Sequence, residues 1–534
     1  MTTDPTPDAS PPDGEAEPDQ GGAPSSPGGG DDSPPPGGGA KHARQAGILV
    51  LGTTLATLSG VVVPLLVVRL IGKADVAALM ALLLVYETVT LIVTAGFPQT
   101  LMYHLPARSL AERRAVARRI ASTLMLLGLG AGVLLAGVAG FGNYLTGIFA
   151  HSSKQSVDLR PVLALAVMPL GDLPARMLPN LLVVENRARA ASVVGVLRSI
   201  ARTLATLVPL ALGYGVWTVA LCITVTGLLH GLLVVYFLGD VYRGAEPVEC
   251  PISRRELFSF AIPLGTTDIV SMLNNGLDRY LILLAFPAAA FADYQAGAWQ
   301  VPVISYVPYA VGIAFAPRFV ELFKAKKPRE ALAIWQHSIE KVSLIVLPST
   351  AVFVVGAEEL MQLLFTHAYI GAAPVFRLYS ILTLGRVAAF GNVIVAAGRP
   401  RYVLQAAVLS LGSNLLISVP LVFTLGFTGP ALGTVLAFIP TVLFYCWCIG
   451  RASDVPMREV FPLKRYGRVL FLCALAAVPA TLFKLEIHAS VALKLLGEAV
   501  LLLGTFSLLG TLAKIIERDD WAFAYSWIRL KVLR

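Results

Sequence analysis

Charge is scarce in this chain. Only 14% of its 534 residues are charged, where a soluble domain carries about 25%. The length would suit three or four soluble domains at roughly 150 residues each, and the shortage of charge excludes them. Cysteine is nearly absent. Cys222, Cys250, Cys446, Cys448 and Cys473 lie mostly in apolar runs, and Cys446-Trp-Cys448 is C-x-C rather than a metal or redox C-x-x-C. All five read as reduced filler. The seven histidines are scattered and suggest no metal centre. A Walker A loop, a dinucleotide fingerprint, an H-E-x-x-H helix and a nucleophile elbow are all missing. ATP is therefore not expected as the direct energy source on this chain, and no cofactor is called for.

What fills the sequence is apolar runs: 56% of residues are hydrophobic and mean hydropathy is +0.72. Residues 121–140 hold no charge, and about 20 apolar residues cross a bilayer core of roughly 30 Å. A transmembrane barrel would instead show alternating segments of about ten residues. The expected fold class is an all-α polytopic membrane protein. Fourteen spans are expected, at about 46–70, 76–98, 119–141, 159–184, 192–213, 216–239, 257–285, 293–316, 338–356, 374–397, 403–425, 430–450, 468–485 and 491–513. Pro169, Pro174 and Pro179 should bend or loosen the fourth.

Charge is also unevenly placed. Residues 1–40 hold eight acids, ten prolines and nine glycines, with no Lys, Arg, Leu, Ile, Val, Phe, Tyr or Trp. Such a segment cannot bury enough apolar surface to fold, and its acidity is wrong for a signal peptide; it reads as a disordered cytoplasmic tail. The remainder carries 42 basic residues against 25 acids. That balance reports loops facing anionic lipid rather than a nucleic-acid partner. With the N-terminus inside, 29 Lys and Arg fall on inner segments, six on outer loops and seven within spans or at their edges. Both termini are therefore expected in the cytoplasm.

An internal repeat is visible. Asn180-Leu-Leu-Val-Val-Glu-Asn-Arg187-Ala-Arg189 matches Asn392-Val-Ile-Val-Ala-Ala-Gly-Arg399-Pro-Arg401 at a constant offset of 212. The offset is six spans, an even number, so both copies have the same orientation. Transporters with such parallel repeats bind substrate at the repeat interface near the midplane.

Charged residues inside a bilayer cost about 2.5–3.5 kcal/mol or more and usually face a cavity or a partner. Arg176, Arg198, Arg202, Arg279, Arg377 and Arg386 fall within spans, with Glu87, Asp172, Asp268 and Asp278. Arg198 and Arg202 are four apart and share a helix face. They repel unless an anion or a carboxylate sits between them, so they mark either a phosphate-binding face or a set of ion pairs with neighbouring helices. Asp172 and Arg176 suit an intrahelical pair. Asp268, Asn275 and Arg279 form one polar stripe beside Asp278, and Arg386 is a further cavity candidate, with Arg377 snorkelling outward. Glu87, with Thr90 and Thr94 on its face, stands either as a lone acid able to hold H⁺ or Na⁺ or as the partner of an arginine.

Gly96-Phe97-Pro98, Glu185-Asn-Arg-Ala-Arg189, Gly213-Tyr-Gly215-Val-Trp, Leu277-Asp278-Arg279-Tyr280, Ala292-Asp-Tyr294-Gln-Ala296, Ala316-Pro317-Arg318 and Ala397-Gly398-Arg399-Pro400-Arg401 with Asn414 follow in order. This ordered set, over about residues 44–520, resembles bacterial polysaccharide flippases of the multidrug/oligosaccharidyl-lipid/polysaccharide exporter superfamily. The long acidic tail is a departure. The resemblance implies two six-helix lobes around a cationic cavity and two further helices. Its domains would be a tail at 1–43, an N-lobe at 44–245, a C-lobe at 246–455, and two extra spans with a cytoplasmic tail at 456–534. It implies flipping of undecaprenyl-pyrophosphate-linked oligosaccharide repeat units by alternating access in the cytoplasmic membrane. Arg176, Arg198, Arg202, Arg279, Arg386, Asn275 and Asn414 would face the substrate. Glu87, Asp268, Asp172 and Asp278 would serve coupling to H⁺ or Na⁺. Partners would be the lipid-linked oligosaccharide, membrane lipid, a polysaccharide polymerase and a chain-length regulator. A lipid II flippase or a drug or cation antiporter would share the architecture. A membrane glycosyltransferase or polymerase would need acids in a substantial outer loop, and Glu358-Glu359 is the only acidic pair outside.

Overall fold

Proline and glycine spacing divides the chain into helices, and no strand occurs among the described residues. The computed structural model describes residues 60–518 apart from 61, 95, 107, 150–159, 300 and 488; side chains of 142–149, 302, 303, 305 and 306 are also left out. The acidic tail, the start of the first expected span and both termini lie outside the described residues. Helix α1 covers 62–70. It is followed by α2 (Lys73–Thr94), α3 (Phe97–His104), α4 (Leu110–Phe149), α5 (Pro169–Ala175), α6 (Leu178–Val184), α7 (Ala188–Ala211) and α8 (Val216–Val241). The second half contains α9 (Arg254–Ala285), α10 (Ala288–Gly297), α11 (Pro302–Lys324), α12 (Pro328–Val355), α13 (Ala357–Phe365), α14 (Ala373–Gly385), α15 (Phe390–Ala396), α16 (Arg401–Leu425) and α17 (Gly429–Ser453). Three helices end the described chain: α18 (Met457–Val460), α19 (Leu463–Glu486) and α20 (Val491–Leu512).

Among the described residues ten stretches are long and apolar enough to cross a membrane, and the protein is a multi-pass membrane protein. The difference from the fourteen expected spans has local causes. The stretch Arg401–Ser453 counts as one, although it contains both α16 and α17. The fourth expected span is broken into a 3-10 turn at Arg160–Leu165 and the seven-residue helices α5 and α6. Pro169, Pro174 and Pro179 lie in these pieces, each removing an N–H from the helical ladder. The eighth is interrupted between Gly297 and Pro302, where α10 ends and α11 begins. The expected first span lies largely outside the described residues.

The repeat reaches the backbone. Adding 212 to the bounds of α6 returns those of α15. Both helices end on a left-handed residue, Asn186 at φ 57° and Gly398 at φ 73°. The closing bonds match: Arg187 N–H donates to Leu182 O at 2.7 Å and Arg399 N–H to Ile394 O at 3.1 Å. This is the Schellman pattern, in which Gly and Asn tolerate the positive φ. Each copy then starts a long helix, α7 or α16, that packs on the next one, α8 or α17.

One core joins α2 to the C-terminal part of α9, α10, α13 and α14. A second holds α12, α15 and α17 with α19 and α20. A third holds α3, α4 and α6 with the start of α9, through Leu257 and Ala261. Helix α9 therefore spans both halves: its first turns pack on the N-terminal half and its last turns on the C-terminal half. The five cysteines are free, with Cys446, Cys448 and Cys473 buried.

Candidate functional site: two adjoining arginine-lined cavities

In the N-terminal half five charges alternate along one chain of ion pairs. Arg198 Nη2 lies 2.5 Å from Asp172 Oδ1, and Arg176 Nε 3.2 Å from Asp172 Oδ2. Arg176 Nη2 is 3.4 Å from Glu87 Oε2, and Arg202 Nη2 2.9 Å from Glu87 Oε1. Helix periodicity places Arg198 and Arg202 on one face of α7; the breaks around α5 bring Asp172 and Arg176 opposite them. Tyr86 donates its hydroxyl proton to Asp172 at 2.9 Å, and Arg176 donates to Thr90 Oγ1 at 2.9 Å. Asp172 is 2% exposed, whereas the Arg202 and Glu87 side chains are 37% and 46% exposed. The chain thus has a buried, structural end at Asp172 and an open end at Arg202.

Of the two readings of these arginines the ion pairs are present, since each has a carboxylate partner; Arg198 and Arg202 also line a cavity of about 450 Å³. Glu87 is the partner of two arginines rather than a lone acid. With three arginines and two acids the group carries one net positive charge.

A second cavity of about 540 Å³ lies on the C-terminal side, lined by Asn274, Asn275, Asp278, Arg279, Gln295 and Arg386 among others. Pro64 and Met80, from α1 and α2, contribute to both cavities, so the two cavities adjoin. Asp278 is buried and accepts hydrogen bonds from the Arg279 backbone N–H at 2.9 Å and from Tyr294 Oη at 3.1 Å. The Arg279 Nε is buried without a hydrogen-bond partner. The Arg386 guanidinium stands 5.9 Å over the Phe438 ring.

Other expected residues fall elsewhere. Asp268 is exposed and lines neither cavity. Asn414 is buried behind the second cavity, where Ser418 donates to its Oδ1 at 2.6 Å and its Nδ2 reaches Asn274 Oδ1 at 3.4 Å. Arg377 lines neither cavity and pairs with Glu358 at 2.8 Å.

The sequence reading missed an ion pair between the halves. Lys73, at the start of α2, reaches both carboxylate oxygens of Asp293 in α10, at 2.7 and 2.9 Å. Its ammonium lies 4.8 Å from the Tyr369 ring centre, and nearby Arg69 donates to the Leu363 carbonyl at 2.9 Å. These contacts close the halves together at one end. Reversing either charge, Lys73→Asp or Asp293→Lys, is expected to raise maleimide labelling of a Val68→Cys thiol severalfold. Exchanging both should return labelling toward the starting level; equal labelling in all four proteins would show that the pair does not hold that end shut.

Comparison with known proteins agrees with this architecture. The chain is 23% identical over 266 residues to an uncharacterized membrane protein of Methanocaldococcus jannaschii, covering 48% of this chain and 50% of that protein. It is 25% identical over 191 residues to a probable lipid II flippase of Rhizobium tropici, covering 35% of each. The chain thus matches half or less of the length of these curated relatives. By fold it is similar to the inward closed conformation of a lipid II flippase, with a TM-score of 0.64, 13% identity, and coverage of 87% of this chain and 98% of that one. The model of the family described as polysaccharide biosynthesis proteins matches residues 42–323, more than half of the sequence, and the chain belongs to that family.

Proposed function

We propose that this protein is a transporter, not an enzyme, and that it flips undecaprenyl-pyrophosphate-linked oligosaccharide repeat units across the cytoplasmic membrane by alternating access. The observation that carries the reading is the pair of adjoining cavities, one on each half, lined by Arg198 and Arg202 and by Arg279 and Arg386. Guanidinium groups suit a pyrophosphate because their planar forks donate two hydrogen bonds at once. The family and the lipid II flippase fold support the same lipid-linked class of substrate. Both termini lie in the cytoplasm in this reading, as the Lys and Arg bias requires.

Substrate binding and ion coupling meet at Arg202. The pyrophosphate competes with Glu87 for the Arg202 guanidinium. A displaced Glu87 carboxylate keeps Arg176 at 3.4 Å but loses its closer partner, and it takes up H⁺ or Na⁺ in exchange. Asp268, on the exposed face of α9, is the second coupling candidate; Asp172, locked by three donors, is structural. Release of substrate restores the Glu87–Arg202 pair and expels the ion.

Purified full-length protein in proteoliposomes tests the reading. Flipping of a polyprenyl-pyrophosphate oligosaccharide should exceed that of empty vesicles at least tenfold and respond to an imposed pH or Na⁺ gradient. Lipid II as competing substrate distinguishes the closest alternative, which the lipid II flippase fold favours. If neither lipid-linked substrate crosses and a small cation does, the flippase reading fails.

A further inference from the structure

Glu498 stands outside every ion pair described above. It is the eighth residue of α20 and shares that helix's buried stripe with Leu502, Phe506 and Gly510, at four-residue spacing. The residue is 0% exposed, and neither carboxyl oxygen has a hydrogen-bond partner. Its carboxyl lies against the corner between α12 and α13. There a Cβ on Gly356 would come within 2.9 Å of Glu498 Oε2 and 3.2 Å of the Val352 carbonyl. The missing side chain at Gly356 makes the room.

The charged groups around it are Glu358 and Glu359 on α13, Lys484 on α19, Arg377 on α14, and Lys494 one turn earlier on α20. The cations of the neighbouring helices are committed. Lys484 Nζ lies 2.6 Å from Glu359 and 3.3 Å from Glu358, and donates to the Val355 carbonyl at 3.1 Å. Arg377 donates to Glu358 at 2.8 Å and to the Val354 carbonyl at 3.2 Å. That hydrogen bond, with Lys484 alongside, holds the Glu358 carboxyl below the usual carboxylate range. On the neighbouring helices two acids and two bases therefore balance; Lys494 makes no ion pair with Glu498, so an ionised Glu498 would stand there as a buried carboxylate without a partner. Lone carboxylates in apolar surroundings neutralise rather than carry that desolvation cost. A Na⁺ ion would need several converging oxygen ligands, as hard cations do, whereas no hydroxyl or amide side chain bonds either oxygen of this carboxyl.

We propose that Glu498 is a proton-binding site at the contact between the C-terminal helix pair and the rest of the bundle, protonated while α20 is docked on α13. Loss of the proton sets a bare carboxylate against Glu359, so the docked state and the bound proton stabilise each other. This inference is independent of the transported substrate.

Dicyclohexylcarbodiimide, a lipid-soluble reagent that reacts with protonated carboxyls in apolar sites, is the probe. Full-length protein in proteoliposomes is labelled between pH 5.5 and 9 and digested, and the peptides are weighed. The expected result is an adduct on Glu498 that falls at least tenfold as pH rises and is the same in NaCl as in choline chloride. Glu498→Gln, which keeps the shape without the charge, should abolish the adduct and leave the melting temperature nearly unchanged. Should that variant fail to fold, the wild-type labelling profile alone decides. No adduct on Glu498 at any pH, an adduct indifferent to pH, or one suppressed by Na⁺ overturns the proposal.

Discussion

Replacing Asp172 with Ala is expected to cost the folded protein about 3–5 kcal/mol, the usual penalty for removing one partner of a buried ion pair. Arg198 and Arg176 both lose the carboxylate they touch at 2.5 and 3.2 Å, and the Tyr86 hydroxyl loses its acceptor. Asp172→Asn should cost less, since its amide oxygen still accepts one bond. Pairing Asp172→Ala with Arg198→Gln should recover part of the loss, because the double variant no longer leaves that guanidinium unmatched; a double-mutant cycle isolates this coupling. Thermal melting in detergent is the measurement. A melting temperature unmoved by Asp172→Ala would show that water replaces the carboxylate and that the network is not structural.

Arg202→Gln should reduce flipping of lipid-linked oligosaccharide by about 10- to 100-fold, and Arg279→Gln similarly, if each supplies a charge-assisted hydrogen bond of about 1.5–3 kcal/mol to the pyrophosphate. Lysine at either position should keep part of the rate, because it retains the charge and loses the fork. The two ends of the N-terminal network separate function from folding. Arg202 lies at the open end, where its partner Glu87 is 46% exposed and keeps Arg176, so Arg202→Gln should melt close to the parent protein. Initial rates in proteoliposomes, taken at matched protein content, read the effect. Normal transport by Arg202→Gln would remove this arginine from the substrate path, and the same result for Arg279→Gln would remove the second cavity.

Local chemistry explains which parts of this picture were visible in the chain itself. Scarce charge and long apolar runs require membrane helices because a bilayer offers the backbone no hydrogen-bond partners. The repeat was visible because helix termination is local: Asn186 and Gly398 accept a left-handed φ, and α6 and α15 end on them at the same offset of 212. The shared face of Arg198 and Arg202 follows from 3.6 residues per turn. The breaks in the fourth span follow from Pro169, Pro174 and Pro179, whose rings carry no N–H.

The i,i+4 pair of Asp172 and Arg176 follows from helix spacing, but which partner a charge meets on another helix was decided only in three dimensions. Glu87 and Arg202 are 115 residues apart, and Lys73 and Asp293 are 220 apart. No periodicity along one helix carries such information, because it depends on how separate helices cross. That is why Glu87 looked equally like a lone acid and an arginine's partner until α2 was set beside α5 and α7. Glu498 shows the same limit from the other side. Within an apolar span of 22 residues a single acid can face lipid, water or a neighbour. The approach of the α12–α13 corner, opened by Gly356, is what buries it without a partner.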